Sequence, residues 1–323
     1  RCRKLSQILN KTVVMAPDCL SAEVKKMAED LEEGDILVLE NLRFYPAETH
    51  PEKDPSFAKS LASMGDIYVN DAFAASHRNH ASIVEVPKLF EGKSLAGFLM
   101  EKEVAFLSKV VTCPKHPFHT ILGGAKVSTK VGVIINLIEK VDTFFIGGAM
   151  MFTFLKASGI SIGSSKVEES HIEVAKDILK RCDEKAVKLH LPVDIVVADQ
   201  FSNEANTKIV STKEGIPDGF QGMDIGPKTI NTWSSLLENA QMIFWNGPLG
   251  VFEMENFAKG TETIANIVAK LSATKIVGGG DSVSAIEKLH LADEFTHLST
   301  GGGASLEFVE KGHLPGIDVL TNR

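Results

Sequence analysis

Lys275-Ile276-Val277-Gly278-Gly279-Gly280-Asp281-Ser282 runs an apolar stretch into three glycines and a carboxylate, and a helical pattern follows from Val283 to Leu289. Glycines let the backbone pass close to a phosphate, and the free N–H groups of the next helix form an anion seat. A single carboxylate at that turn, Asp281, suits Mg2+, which draws most of its other ligands from phosphate oxygens and water. The plainer alternative is that Asp281 or Ser282 caps the helix, worth about 1 kcal/mol. Three successive glycines exceed what a cap needs.

A second segment, Leu122-Gly123-Gly124-Ala125-Lys126-Val127-Ser128-Thr129-Lys130, again runs a strand pattern into glycines. Its spacing predicts a helix with Lys126 and Lys130 at i, i+4 on one face of the first turns. Cations are unfavourable at a helix N-terminus, where the macrodipole is positive. Two lysines there either face an anionic partner or are solvated surface charges. In Trp245-Asn246-Gly247-Pro248-Leu249-Gly250-Val251-Phe252-Glu253, Asn246 could face phosphates and Glu253 could accept from ribose hydroxyls. On the residues alone, a plain turn with a surface carboxylate is favoured.

Earlier in the chain, Glu40-Asn41-Leu42-Arg43-Phe44 and Ser76-His77-Arg78-Asn79-His80 each place an arginine just past a strand pattern. The guanidinium fork chelates carboxylate or phosphate, so Arg43 and Arg78 point weakly to an anion pocket. His77 and His80 read as structural or solvated. Neither G-x-x-x-x-G-K-[ST] nor the glycine loop and HRD/DFG set of protein kinases occurs, so any nucleotide site is built differently.

These segments need a scaffold, and one grammar supplies it. Short apolar runs such as Ile36–Leu39, Ile67–Val69, Thr120–Leu122, Phe144–Ile146, Ile195–Ala198, Met242–Trp245 and Lys275–Val277 end in Gly, Asp or Asn and precede helical patterns. Continuous apolar strands alternating with helices indicate an α/β fold with parallel sheets buried on both faces. Ligands in such sheets sit at the carboxyl ends of the strands. Near residue 95 the pattern changes. Met100, Val104, Leu107 and Val111 make one apolar stripe, with Glu101, Lys102, Glu103 and Lys109 between them, closed by Pro114 and Pro117. This is either a connector between two lobes or one more helix of a single domain.

The chain has 323 residues, room for about two domains, and its net charge of −8 argues against a general nucleic-acid binder. Positive charge must be concentrated locally if the substrates are anionic. Cys2, Cys19, Cys113 and Cys182 are far apart, without metal spacing, and read as reduced, mostly buried thiols of a cytoplasmic protein. No apolar run approaches a membrane span. The sequence opens on Arg, inside an apparent helix (1–10) leading into a strand pattern (12–16), and so reads as lacking an N-terminal piece.

The stretches ENLRF, YVNDAF, SHRNHAS, LMEKE, ILGGAKVSTK, GGAMMFTFL, LPVDIVVAD, GMDIGP, WNGPLGVFE, VGGGDSVSA and STGGGASLEF occur in this order between residues 38 and 310. Together they resemble the signature set of phosphoglycerate kinases. The resemblance implies two Rossmann-like lobes: a partial N-terminal lobe (1–95) for the acid substrate, a connector helix (96–112), a nucleotide lobe (113–306) and a segment (307–323) returning to the first lobe. It implies reversible, Mg2+-dependent phosphoryl transfer between 1,3-bisphosphoglycerate and ADP by a monomer. Lys130, Gly147, Gly148, Gly222, Asn246, Glu253, Gly279, Gly280, Asp281 and Ser282 would bind the nucleotide, with Asp281 holding the metal. Lys126, Lys130 and the turn at Gly301 and Gly302 would neutralise charge on the phosphoryl in flight. Arg43 and Arg78 would bind the acid. Two motifs common in the family's N-terminal part, Asp-Phe-Asn-Val-Pro and His-Leu-Gly-Arg-Pro, do not occur here, which leaves the first lobe incomplete. The competing readings are a nucleotide-binding chain with little or no turnover, and a non-enzymatic α/β interaction protein.

Overall fold

The computed structural model describes residues 2–321 and divides into two compact units, Arg1–Lys102 with His313–Arg323, and Glu103–Gly312.

In the first unit, helix α1 (Cys2–Leu9) leads to strand β1 (Val14–Met15), and helix α2 (Ala22–Glu29) to β2 (Leu37–Val38). β1 and β2 pair in parallel. Helices α3 (Pro46–Thr49) and α4 (Pro55–Ala62) precede β3 (Tyr68–Asn70), which pairs in parallel with β4 (Ser94–Ala96). Side chains start the longer helices: Ser21 accepts from Val24 N–H and Asp54 from Ser56 N–H. Phe57 and Ala58 of α4 pack with Ala47, Ala81 and Val86 as this unit's core.

Helix α5 (Phe98–Thr112) carries the chain from the first unit into the second. Of the expected stripe, Met100 and Leu107 are buried while Val104 and Val111 are half-buried. Glu103, expected on the polar face, is fully buried. The stripe is rotated because that carboxylate has partners inside the protein.

The second unit is built on β5 (Phe118–Leu122), α6 (Val131–Ile138), β6 (Thr143–Ile146), α7 (Met150–Ala157), α8 (Ile172–Glu184) and β7 (Lys188–His190). It continues through β8 (Asp194–Ala198), β9 (Thr207–Ser211), β10 (Gln221–Ile225), α9 (Pro227–Leu237), β11 (Met242–Asn246), α10 (Lys259–Lys270) and β12 (Thr274–Gly278). It closes with α11 (Gly280–Lys288), β13 (His297–Leu298) and α12 (Gly303–Lys311). Six strands form a parallel sheet in the order β13-β12-β11-β5-β6-β7. Every residue of β5, β6 and β11 is buried, as expected of a sheet covered on both faces.

β8 departs from the expectation. Its Ile195–Ala198 run was read with the parallel strands, but β8 lies in a separate antiparallel sheet, order β10-β8-β9. Residues 199–206 are too few for a crossover, and Asp199 closes the turn by accepting from Asn206 N–H and Nδ2. A short turn of this kind joins antiparallel neighbours.

After α12 the chain returns to the first unit through α13 (Pro315–Asp318). Gly316 N–H donates to Ser76 O, Asn70 Nδ2 to Gly316 O, and Thr321 N–H to Ser94 O. The return begins at His313, because 307–311 belong to α12 of the second unit. The four cysteines are free, but Cys113 is exposed and Cys2 half-buried, so only Cys19 and Cys182 match the expected burial. Among the described residues, no helix is long and apolar enough to cross a membrane.

Candidate active site

Sheet order fixes where a ligand can sit. From β5 the chain builds outward through β6 and β7, then returns to the other side of β5 with β11, β12 and β13. The order reverses between β5 and β11, and a crevice opens at the carboxyl ends of strands flanking such a point. Gly123 and Gly124 follow β5 there, and Gly247 and Pro248 follow β11. These turns pack backbone against backbone: Gly123 N–H donates to Asn246 O at 2.9 Å and Gly124 N–H to Pro248 O at 2.8 Å. Gly247 has φ +96°, and a Cβ there would overlap the Gly123 carbonyl. The buried Ser282 hydroxyl accepts from Gly247 N–H and ties this turn to α11.

The crevice is a cleft of about 330 Å³. It gathers Lys126, Lys130, Asn246, Gly279, Gly280, Asp281, Ser282 and Gly302, all expected from sequence, with Gly124, Gly247 and Gly303 between them. Lys130 is buried, and its Nζ donates to Asn246 Oδ1. Burial pushes the Lys130 ammonium down to about 8, against the opposing pull of Asp281. Asn246 Nδ2 is buried without a partner, a donor of the kind that marks a missing acceptor.

The lysines do not sit as expected. The helix begins at Val131, with Lys130 its N-cap residue, so Lys126 and Lys130 are not neighbours on a helical face. Lys130 N–H and Val131 N–H both turn back to Val127 O, which closes the 123–130 segment as a loop. Lys126 is exposed at the mouth of the cleft and Lys130 is buried in its wall.

Two helices point uncapped ends at this space. α11 starts after Gly279 and α12 after Gly302, and neither has a side-chain cap. The capping alternative for Asp281 or Ser282 therefore does not hold. Both lie inside α11, and its first N–H groups stay available for an anion. The turn before α12 is held from behind by Glu103. Its carboxylate accepts from His297 Nε2 at 2.8 Å, Ser299 Oγ at 2.7 Å, Thr300 N–H at 2.7 Å and Thr300 Oγ1 at 2.8 Å. Burial alone would raise the Glu103 carboxyl, but these bonds outweigh it and hold it below the ordinary range.

Five expected residues are not in the cleft wall. Gly147 and Gly148 lie behind it, where Gly148 N–H donates to Leu249 O at 2.9 Å. Gly301 is buried, with its N–H directed at Ser299 Oγ. Gly222 sits on β10, its N–H bonded to Ser165 Oγ at 2.8 Å, with Phe152 filling the space of a Cβ. Glu253 is exposed beyond the 247–251 turn. Sequence reasoning missed Glu103 and also Asp224. The latter is buried on β10, accepts from Gly260 N–H at the start of α10 and from Ile225 N–H, and is pushed up to about 7 mainly by burial. An acid inside the otherwise apolar GMDIGP strand was the available signal.

In the first unit, Arg43 and Arg78 are exposed, and Arg43 lines a cavity of about 540 Å³ with Glu40, Asn41 and His80. Both arginines act electrostatically on His80, which burial pushes below its usual range despite Glu48 3.7 Å away. Arg43 and His80 line the same cavity, and Arg78 is not in its wall. His80 is buried rather than solvated.

The donor set of the second unit's cleft fits magnesium rather than a protein-caged metal. It offers one carboxylate, Asp281, and among the described residues no cluster of three or more His, Cys, Asp or Glu could hold an ion. Mg2+ bound through one carboxylate and phosphate oxygens needs no more.

A family model described as phosphoglycerate kinase matches residues 1–312. Cytosolic phosphoglycerate kinase of Triticum aestivum is 51% identical over 320 residues, spanning 98% of this chain and 79% of that protein. Chloroplastic phosphoglycerate kinase 1 of Arabidopsis thaliana is 52% identical, spanning 98% of this chain and 66% of that protein. The solved structure of phosphoglycerate kinase from Coxiella burnetii superposes with a TM-score of 0.87 at 40% identity, covering 98% of this chain and 79% of that one. The chain belongs to the phosphoglycerate kinase family.

Proposed function

We propose that the protein is a phosphoglycerate kinase, a phosphotransferase that moves a phosphoryl group reversibly between 1,3-bisphosphoglycerate and ADP, giving 3-phosphoglycerate and ATP. The observation that carries this reading is the buried Lys130–Asn246 pair between two uncapped helix starts, with Asp281 at one of them.

Each residue then has a task. The amides at the start of α11, with Gly279, Gly280 and Ser282, receive nucleotide phosphates. Lys130 and the free Nδ2 of Asn246 reach the same oxygens from the opposite wall. Gly222 and Glu253 take the base and ribose side, while Gly147 and Gly148 hold the turns in register behind it. Asp281 holds Mg2+, which when bound with nucleotide supplies charge neutralisation across the phosphate oxygens. Lys126 and the amides at Gly301 and Gly302 face the transferring phosphoryl. Arg43 and Arg78 bind the acid substrate. The acceptor oxygen is already a carboxylate, so no general base is required, and catalysis rests on positioning and charge.

The reading includes a first lobe whose sheet is short of strands. Its four strands form two separate two-stranded pairs, each with open edges. It also includes a monomer working in the cytosol, which four free cysteines suit. A coupled assay forming ATP from 1,3-bisphosphoglycerate and MgADP, run beside calorimetry with MgADP, tests the whole. Turnover together with binding supports it. Binding without turnover would leave a nucleotide-binding protein in its place, and absence of both would overturn the reading altogether.

A further inference from the structure

At the amino end of β8, away from the glycine turns, the second unit contains a cavity of about 580 Å³. This lies within the range of about 300–1,000 Å³ typical of small-molecule sites. Its walls are largely apolar: Leu155 from α7, Ile160 beyond it, Pro192 and Val193 leading into β8, and Ile209 on β9. Val193 and Ile209 are 47% and 58% exposed, among the larger apolar side chains left open to water.

The cavity's exposed charged groups are both cationic, Lys213 and Lys228. Asp194 is the only carboxylate in the wall, and it is buried and fully engaged. Its Oδ1 accepts from Thr229 N–H and Oγ1, and its Oδ2 from Lys228 N–H. Lys213 and Lys228 stand at the mouth, and among the described residues neither ammonium has a hydrogen-bond or ion-pair partner. In a chain with 42 acidic and 34 basic residues, an apolar pocket with two exposed ammonium groups against one buried carboxylate whose oxygens are already hydrogen-bonded is complementary to an apolar anion.

We propose that this cavity binds a small amphiphilic carboxylate. The aliphatic or aromatic body lies against Leu155, Ile160, Val193 and Ile209, and the carboxylate meets Lys213 and Lys228. The site is separate from the phosphate cleft, with which it shares no lining residue. The proposal does not rest on the reaction proposed above.

Octanoate and octan-1-ol, titrated against methyl-labelled protein with and without MgADP, provide the test. Octanoate should shift the methyl resonances of Leu155, Ile160, Val193 and Ile209 saturably, with a Kd on the order of 1 mM or tighter for a ligand of this size. MgADP should leave that Kd unchanged. Octan-1-ol should bind about fivefold more weakly, and the double substitution Lys213→Gln with Lys228→Gln should bring octanoate down to the level of the alcohol. Absence of saturable shifts at these methyls, displacement by MgADP, or equal binding of acid and alcohol would each overturn the proposal.

Discussion

Lys130 and Asn246, 116 residues apart in sequence, meet through a hydrogen bond from the buried ammonium to Oδ1, and the amide nitrogen of Asn246 is left without an acceptor. The pair joins the loop after β5 to the end of β11, the two strands flanking the reversal of sheet order. Both partners offer donors to one space, and neither Gly279 nor Asp281 at its edge supplies an acceptor for Nδ2. A phosphate fills that role chemically.

Proton uptake on nucleotide binding follows from this pair. Burial lowers the Lys130 ammonium to about 8, so it is partly neutral above that pH in the free protein. A bound phosphate restores the charge, so binding takes up protons, and affinity for MgADP falls by up to about tenfold per pH unit above pH 8. In the free fold the same group binds fewer protons than the unfolded chain between about 8 and its ordinary value of 10.5, so its contribution to stability rises with pH across that window. Calorimetry at pH 8.5 in two buffers of different ionisation enthalpy checks the uptake. Heats that do not depend on the buffer would sink it, and Lys130→Met should abolish the dependence.

Asp281→Asn should lower kcat/KM for the Mg2+-dependent reaction by a factor on the order of 100 to 1,000, the usual loss of one strong electrostatic contact. Asp281 is exposed and caps nothing, so stability should fall by less than about 1 kcal/mol, the worth of an acidic side chain in a first helical turn. Kinetics across a magnesium titration, with thermal unfolding beside it, separates the two effects. Near-normal turnover at saturating magnesium would remove Asp281 from the metal.

Lys126→Ala should lower kcat about a hundredfold and leave MgADP affinity nearly unchanged if its exposed ammonium at the cleft mouth has the proposed role of meeting charge that develops during transfer. A parallel loss of affinity with kcat spared would make Lys126 a ground-state binding residue.

Glu103→Gln tests the brace behind the Gly301 turn. A neutral amide cannot accept from all four of the donors that Glu103 satisfies, so the cost should be about 2–4 kcal/mol. The sign with pH is fixed by the depressed carboxyl. Its stabilisation is present above the ordinary value of 4.5 and is lost as pH falls through the lower folded value. Thermal unfolding between pH 3 and 7 should therefore show wild type losing its advantage over Glu103→Gln on acidification. A constant difference across that range would contradict the assigned ionisation.

Much of this was legible in sequence because the second unit's parallel strands are continuous apolar runs ending in glycine, and that pattern marks both the sheet and its ligand edge. β8 misled because a buried antiparallel strand between two neighbours has the same apolar run, and only the short 199–206 turn distinguishes it. Lys126 and Lys130 line one cleft but do not share the expected helical face, since apolar periodicity starts at Val127 while the hydrogen-bonded helix starts at Val131. Glu103 was invisible because charge next to an apolar stripe reads as a solvated face. Its partners lie 194 to 197 residues away.

Two glycines with similar φ should separate scaffold from chemistry. Gly148 has φ +60°, and a Cβ there would overlap the Gly124 backbone, which has no side chain to move aside. Gly148→Ala should cost more than about 3 kcal/mol, from left-handed strain plus displacement of the turn that carries Gly124, and should remove nucleotide binding through the fold. Gly302 has φ +54°, yet a Cβ there would meet nothing within 4 Å. Gly302→Ala should cost about 1–3 kcal/mol of backbone strain, remain folded, and keep most of its MgADP affinity. Its methyl would enter the space at the start of α12 where the transferring phosphoryl is proposed to pass, so turnover should fall much further than binding. Thermal unfolding, MgADP calorimetry and kcat for both variants check the contrast. If Gly302→Ala lost stability as Gly148→Ala does, or kept full turnover, the open space beside Gly302 would have no part in the transfer.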